Sequence, residues 1–157
     1  MSDGSTYKEQ LIKKIGATAV AMLVPMVMML EGGVFRTYKD PIGILTSCYG
    51  HTGPELKLGQ KFTKAQCEDQ LYADLLKHAD DIDCVKVPMS LGQTVAYISF
   101  SYNVGKKKFC ESTLVKLANT GDKVGSCNQM SRWIYAAGKA LAGLVERRRI
   151  ERAVCLS

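Results

Sequence analysis

Two carboxylates are the residues of this sequence best suited to chemistry. Glu31 closes a long apolar run, and Asp40 lies nine residues further on, beyond an extended segment. Cleaving a glycosidic bond takes one carboxyl that delivers a proton and a second that stays ionised. Glu31 leaves an apolar helix end, which suits the first task. Asp40 stands in a polar turn beside Lys39, which suits the second. Acidic pairs at arbitrary spacing are also common among solvated surface residues. Taken alone, the pair selects no function.

The elements that must hold these residues can be read from pattern. Residues 1–14 form a polar, basic tail with Lys8, Lys13 and Lys14, followed by an uncharged run over 15–30. As a helix, that run would span about 24 Å, short of a hydrocarbon core of roughly 30 Å. Gly16 and Pro25 dilute it further. It reads as a buried helix of a soluble domain, as a cleavable signal peptide, or as an uncleaved export signal that anchors briefly and later leaves the bilayer. Lysines before it and none within it place the N-terminus in the cytoplasm and the remainder outside.

Residues 34–51 alternate β-branched and aromatic residues around turn formers at Asp40-Pro41 and Gly43, the pattern of a small antiparallel β element. Helices are expected over about 64–80, 90–103, 112–119, 122–135 and 144–155. In the last of these Leu144, Ile150, Val154 and Leu156 should face inward. With no repeat and no linker, the chain reads as a single α+β domain over 1–157, mostly α-helical, with a small antiparallel β lobe near its N-terminal side.

Composition narrows the function classes. The 46% hydrophobic and 23% charged residues exclude a disordered chain and a polytopic membrane protein. A net charge of +6 points to an anionic partner, such as an acidic membrane surface or an anionic wall polymer. No Gly-rich phosphate loop and no basic stripe interleaved with aromatics is present, so no nucleic-acid partner is expected. Arg147, Arg148, Arg149 and Arg152 read either as a solvated helix face or as a contact for anionic wall or phospholipid. His78 reads as a solvated helix residue, and Trp133 as core or sugar platform. Six cysteines without a Cys-x-x-Cys element are either buried thiols or three disulfides, with fifteen pairings open. No metal and no cofactor is expected.

The string from Glu31-Gly32 through Tyr38, Asp40, Gly43, Thr46 and Tyr49-Gly50-His51-Thr52-Gly53 resembles the signature of the phage-type lysozymes, glycoside hydrolase family 24. The resemblance runs on through Phe100-x-Tyr-Asn-Val-Gly105, Ser112-Thr-Leu114, Arg132-Trp133, Ala136-Ala-Gly138-Lys139 and Gly143-Leu144-x2-Arg147-Arg148-x2-Glu151. It covers roughly residues 30–156. It implies a lysozyme-like fold with an active-site cleft between the β lobe and a larger helical lobe. It also implies hydrolysis of the β-1,4 bond between N-acetylmuramic acid and N-acetylglucosamine in peptidoglycan. Glu31 is then the general acid, Asp40 the partner carboxylate of an inverting scheme, and Thr46 the holder of the attacking water. Tyr38, His51 and Asn103 are then substrate contacts, with a structural hydrogen bond between strand and helix as the other reading of His51. Two positions depart from the pattern. Val34 stands where many relatives have Arg, and Cys48 where many have Gly.

The N-terminus together with Cys48 resembles the signal-arrest-release endolysins. That subgroup implies a monomer tethered to the host inner membrane through 15–30, then released as a soluble periplasmic enzyme. It also places the cysteines in an oxidising compartment. Nested local pairs are expected there: Cys48–Cys67, Cys84–Cys110 and Cys127–Cys155. Two other readings compete: a lytic transglycosylase on the same substrate, and a basic, membrane-tethered binding module without catalysis.

Overall fold

A computed structural model describes residues 4–157. The chain divides into two units, Met1–Lys77 and His78–Ser157.

In the first unit the expected polar tail is partly helical. Helix α1 (Tyr7–Ile15) opens on Thr6, whose Oγ1 accepts the Glu9 N–H at 3.1 Å, and closes on Lys13 and Lys14. Cap, acidic first turn and basic last turn all match the helix dipole. Gly16, at φ +90°, then turns the chain, and α2 (Ala17–Glu31) leaves at 118° to α1. Ala19, Val20, Leu23, Val24 and Val27 bury one side of α2, whereas Met22, Pro25 and Met29 are exposed. Pro25 has no N–H for the preceding turn, a loss borne on the exposed side. Burial of Leu23 and Val27, each fully enclosed, contributes about 1.5–3 kcal/mol apiece.

Gly32, at φ +68°, ends α2 and admits the expected β element. Strand β1 (Val34–Lys39) pairs antiparallel with β2 (Leu45–Cys48), with Tyr38 opposite Thr46 and Lys39 opposite Leu45. The register shifts between Val34 and Tyr38. Residues 60–62 add a further edge, since the Thr37 N–H donates to the Gln60 carbonyl and the Phe62 N–H to that of Phe35. Helix α3 (Lys64–Ala79) starts on a reciprocal cap, in which Thr63 Oγ1 accepts from Gln66 N and Gln66 Oε1 from Thr63 N. A disulfide joins Cys48 to Cys67.

The second unit is built on α4 (Leu91–Val104), opened by a capping box between Ser90 and Gln93 and buried along Val95–Ser101. It packs on α8 (Ala142–Leu156) so closely that a Cβ at Gly92 would lie 2.1 Å from the Val154 carbonyl. Around them stand α5 (Lys106–Cys110), α6 (Thr113–Asn119) and α7 (Lys123–Gln129), with disulfides Cys84–Cys110 and Cys127–Cys155.

Three expectations are corrected here. The helix expected over 122–135 ends at Gln129, and a 3₁₀ turn over Met130–Arg132 follows. Then comes a hairpin, β3 (Tyr135–Ala136) with β4 (Lys139–Ala140). Its two-residue loop has positive φ at both Ala137 and Gly138, as a type I′ turn requires. The inward side of α8 is also not the apolar one expected. Arg147, Arg148, Glu151 and Cys155 are buried, while Leu144, Ile150, Val154 and Leu156 are only half-buried. Finally, His78 is not a solvated helix residue, because its Nδ1 bonds Asp81 Oδ2 at 2.6 Å.

Candidate active site

Glu31, Asp40, Thr46, Tyr38 and His51 all fall in the first unit, on three consecutive pieces of chain. Glu31 is the last residue of α2 and is half-buried. Its carboxylate lies against Gly50, where an added Cβ would stand 2.9 Å from Oε2. Gly50 also has φ +82°, so glycine there serves both the turn after β2 and the room for the acid.

Asp40 follows β1 directly and organises the hairpin turn. Its Oδ1 accepts the N–H groups of Ile42 and Ile44 at 2.9 and 2.8 Å, and its own N–H donates to the Ile44 carbonyl at 2.9 Å. Such Asx bonding fixes the carboxylate to the backbone of the turn. Thr46 is buried on β2, and its hydroxyl donates to the Ile44 carbonyl at 3.0 Å. Tyr38 stands across the ladder from Thr46. Burial pushes the Tyr38 phenol above its usual pKa of 10.0, and the negative charges of Glu31 and Asp40 push it the same way. One phenol therefore feels both carboxylates. At neutral pH it is an O–H donor.

His51 is positioned differently from a free sugar contact. Its backbone pairs with Ser47, Nδ1 bonds Asp74 Oδ2 on α3 at 2.8 Å, and Nε2 bonds Glu55 Oε1 at 2.6 Å. The bond to Asp74 is the largest cause raising its pKa from 6.5 to about 9. Burial opposes the rise, and the Glu55 bond and the two nearby charges add to it. With both ring nitrogens engaged, the residue braces the β lobe against α3, the structural hydrogen bond between strand and helix that was one of its two expected roles. Nothing in the sequence motif pointed to Glu55 or Asp74.

Asn103 belongs to the second unit, at the exposed end of α4. Its Oδ1 accepts from Arg148 Nη2. Arg148 also donates to the Trp133 carbonyl at 2.8 Å and to Glu151 Oε1 at 2.5 Å, and its guanidinium lies 4.8 Å from the Phe100 ring centroid. Arg147 donates to Glu151 Oε2 and to the Ser99 carbonyl, and Ser99 Oγ donates to Glu151 at 2.6 Å. Both expected readings of Arg147 and Arg148, solvated face or wall contact, give way to a buried ionic network. Trp133, half-buried, meets Phe100 edge-on at 5.3 Å between ring centroids. Arg149 and Arg152 remain on the surface, bonded to Glu146 and Asn128. Among the described residues no group of three or more His, Cys, Asp or Glu side chains could hold a metal ion.

A family model described as phage lysozyme matches residues 28–151. A SAR-endolysin of Bacteriophage PS119 is 45% identical over 128 residues, covering 81% of this chain and 77% of that protein. The solved endolysin from Escherichia coli O157:H7 phage FAHEc1 matches with a TM-score of 0.80 at 30% identity, over 91% of this chain and 93% of that one. The muramidase domain of SpmX from Asticaccaulis excentricus matches with a TM-score of 0.80 at 26% identity, over 91% and 97% of the two chains.

Proposed function

The chain belongs to the phage lysozyme family, and from that premise we propose how its residues carry out the reaction of an endolysin. The enzyme is a muramidase acting on peptidoglycan. Glu31 gives its proton to the oxygen of the β-1,4 link as the bond from that oxygen to the muramic acid anomeric carbon breaks. A water held by Thr46 and Asp40 attacks the opposite side of that carbon, and Asp40 takes the water's proton. The products are a reducing-end sugar and a free hydroxyl, with inversion at the anomeric centre. Because the Thr46 hydroxyl already donates to Ile44, its oxygen is left to accept from the water. Because Oδ1 of Asp40 holds two backbone N–H groups, Oδ2 is the base. The Tyr38 O–H, kept protonated, donates to substrate between the two acids.

The observation that carries this reading is that Asp40 and Thr46 are fixed on one backbone group, the Ile44 carbonyl, with Tyr38 across the ladder from Thr46. A lytic transglycosylase needs the acid but not a base-activated water, so the Asp40–Thr46 pairing favours hydrolysis. The test is Glu31→Gln, which should lower turnover by a factor on the order of 10²–10⁴ with unchanged melting. Retained turnover would contradict the assignment.

The same reading extends to localisation. Tethered through residues 15–30 to the host inner membrane, with its N-terminus in the cytoplasm, the monomer has Glu31 held at the headgroups. On release into the periplasm the segment folds as α2 and delivers Glu31 beside Gly50. No single helix among the described residues is long and apolar enough to cross a membrane, and α1 with α2 meets that requirement only as a bent pair. The tether therefore calls for straightening at Gly16. Full activity of a tethered, detergent-reconstituted form would contradict it.

A further inference from the structure

Cys67, Gln70 and Asp74 stand at helical spacing and form a row along one side of α3. Each holds a residue at the end of β2 or just beyond it. Cys67 is bonded to Cys48, Gln70 Oε1 accepts the Ser47 hydroxyl at 3.0 Å, and Asp74 Oδ2 bonds His51 Nδ1 at 2.8 Å. Ser47 and His51 also exchange backbone hydrogen bonds, each N–H donating to the other's carbonyl at 2.9 Å. The residues between them, Cys48-Tyr49-Gly50, form a turn whose two ends and first residue are all fixed to one helix.

That turn is held in a conformation its first residue does not favour. Cys48 has φ +56° and Gly50 φ +82°. Glycine takes such backbone freely, and a residue with a Cβ does not. Among the described residues only Cys48 and Ala137 combine a side chain with positive φ. Ala137 is exposed in a surface hairpin loop, whereas Cys48 is fully buried. With Sγ fixed to α3 and Ser47 fixed beside it, the Cys48 backbone cannot rotate to negative φ without pulling on both. The turn in its place touches the end of α2 twice. A Cβ on Gly50 would stand 2.9 Å from Glu31 Oε2 and 3.3 Å from its carboxyl carbon, and one on Gly33 would stand 3.1 Å from Cε1 of the Tyr49 ring. Relaxing Cys48 would swing Tyr49 and Gly50 relative to Ser47, and both contacts would open.

We propose that Cys48 is a positioning residue for the reaction: its bond to Cys67 holds the turn in the left-handed conformation that seats Gly50 against the carboxylate of Glu31. The proposal rests on Glu31 being the acid of the endolysin reading and deepens it. Helix α3 is then the rail on which the seat of the acid is mounted. The disulfide has a task in turnover that is separate from its stabilisation of the chain, because a proton donor displaced by a fraction of an ångström loses its line to the glycosidic oxygen.

The test measures kcat and KM on soluble peptidoglycan fragments for the full chain and for two variants that lack the same disulfide. Cys48→Ala/Cys67→Ala puts a Cβ at positive φ with nothing to hold it there. Cys48→Gly/Cys67→Ala puts glycine there, which takes that backbone unaided. Read well below both melting temperatures, the alanine variant should lose about tenfold to a hundredfold in kcat, with KM within about twofold. The glycine variant should recover kcat to within about threefold of the full chain. A disulfide acting through stability alone would leave the two folded variants with the same kcat. Equal kcat in both, or a loss confined to KM, would overturn the proposal. Gly50→Ala keeps all three disulfides and tests the contact itself, even where the alanine variant fails to fold. It should lose kcat by a similar factor, and an unchanged kcat would overturn the seat. Glu31→Gln separates this from the reading beneath it. If that variant retains turnover, the acid assignment falls, whereas an inactive Glu31→Gln beside a fully active alanine variant removes the positioning role alone.

Discussion

At pH 6 the imidazole of His51 is charged and clamped between Asp74 and Glu55. Its folded pKa, about 9, lies above the unfolded value near 6.5. The clamp's stabilisation is therefore fully present below pH 6.5 and is lost as pH rises through 9. Discounted for the exposure of Glu55, it amounts to about 2 kcal/mol. His51→Asn should lower the melting temperature at pH 6 and have little effect above pH 10, which thermal unfolding across pH will check. Glu151 is the opposite case, fully buried with two arginines. Glu151→Ala should cost about 3–5 kcal/mol in urea unfolding, because it leaves buried cations unmatched. The two acids and Thr46 stood out in the sequence because the spacing of a resembling signature marks them. Arg147 and Arg148 did not, since four basic residues in six read as a wet face unless the positions of Ser99, Trp133 and Glu151 are known.

Among the elements, α2 carries the account, and glycines bound it. Gly16 at φ +90° and Gly32 at φ +68° adopt backbone that residues with a Cβ rarely take. Gly16→Ala should cost the folded form about 1–3 kcal/mol while favouring one straight apolar helix. The expected readouts are a lower melting temperature and a larger membrane-bound fraction. The Cys48–Cys67 bond closes a 19-residue separation between the β lobe and α3. In the chain-entropy model its loss by Cys67→Ala should cost about 3 kcal/mol, read by chemical unfolding. The three disulfides of the structure are the nested local ones expected from the sequence. Most helices were legible from periodicity and caps. Helix α1 was hidden by its charge, which its capping and dipole accommodate. The β3–β4 hairpin was hidden because Tyr135–Ala140 carries no apolar alternation, both strands being exposed.

For the whole molecule, the net charge is unevenly spread. Residues 78–157 hold 12 Lys and Arg against 7 Asp and Glu, so they carry five of the six net positive charges. With Arg147 and Arg148 enclosed, the exposed cations there include Lys106, Lys107 and Lys108. Attraction to an anionic wall should therefore weaken as salt rises from about 10 to 150 mM, with soluble-glycan turnover unchanged. A cosedimentation assay with wall fragments checks this. The central claim is hydrolysis by Glu31 with a water held on Asp40 and Thr46. Its most direct test is the mass of the products formed from peptidoglycan in heavy-oxygen water. Reducing-end muramic acid carrying one heavy oxygen, first released as the inverted anomer, is the predicted result. Anhydro-muramic ends without the label would contradict it.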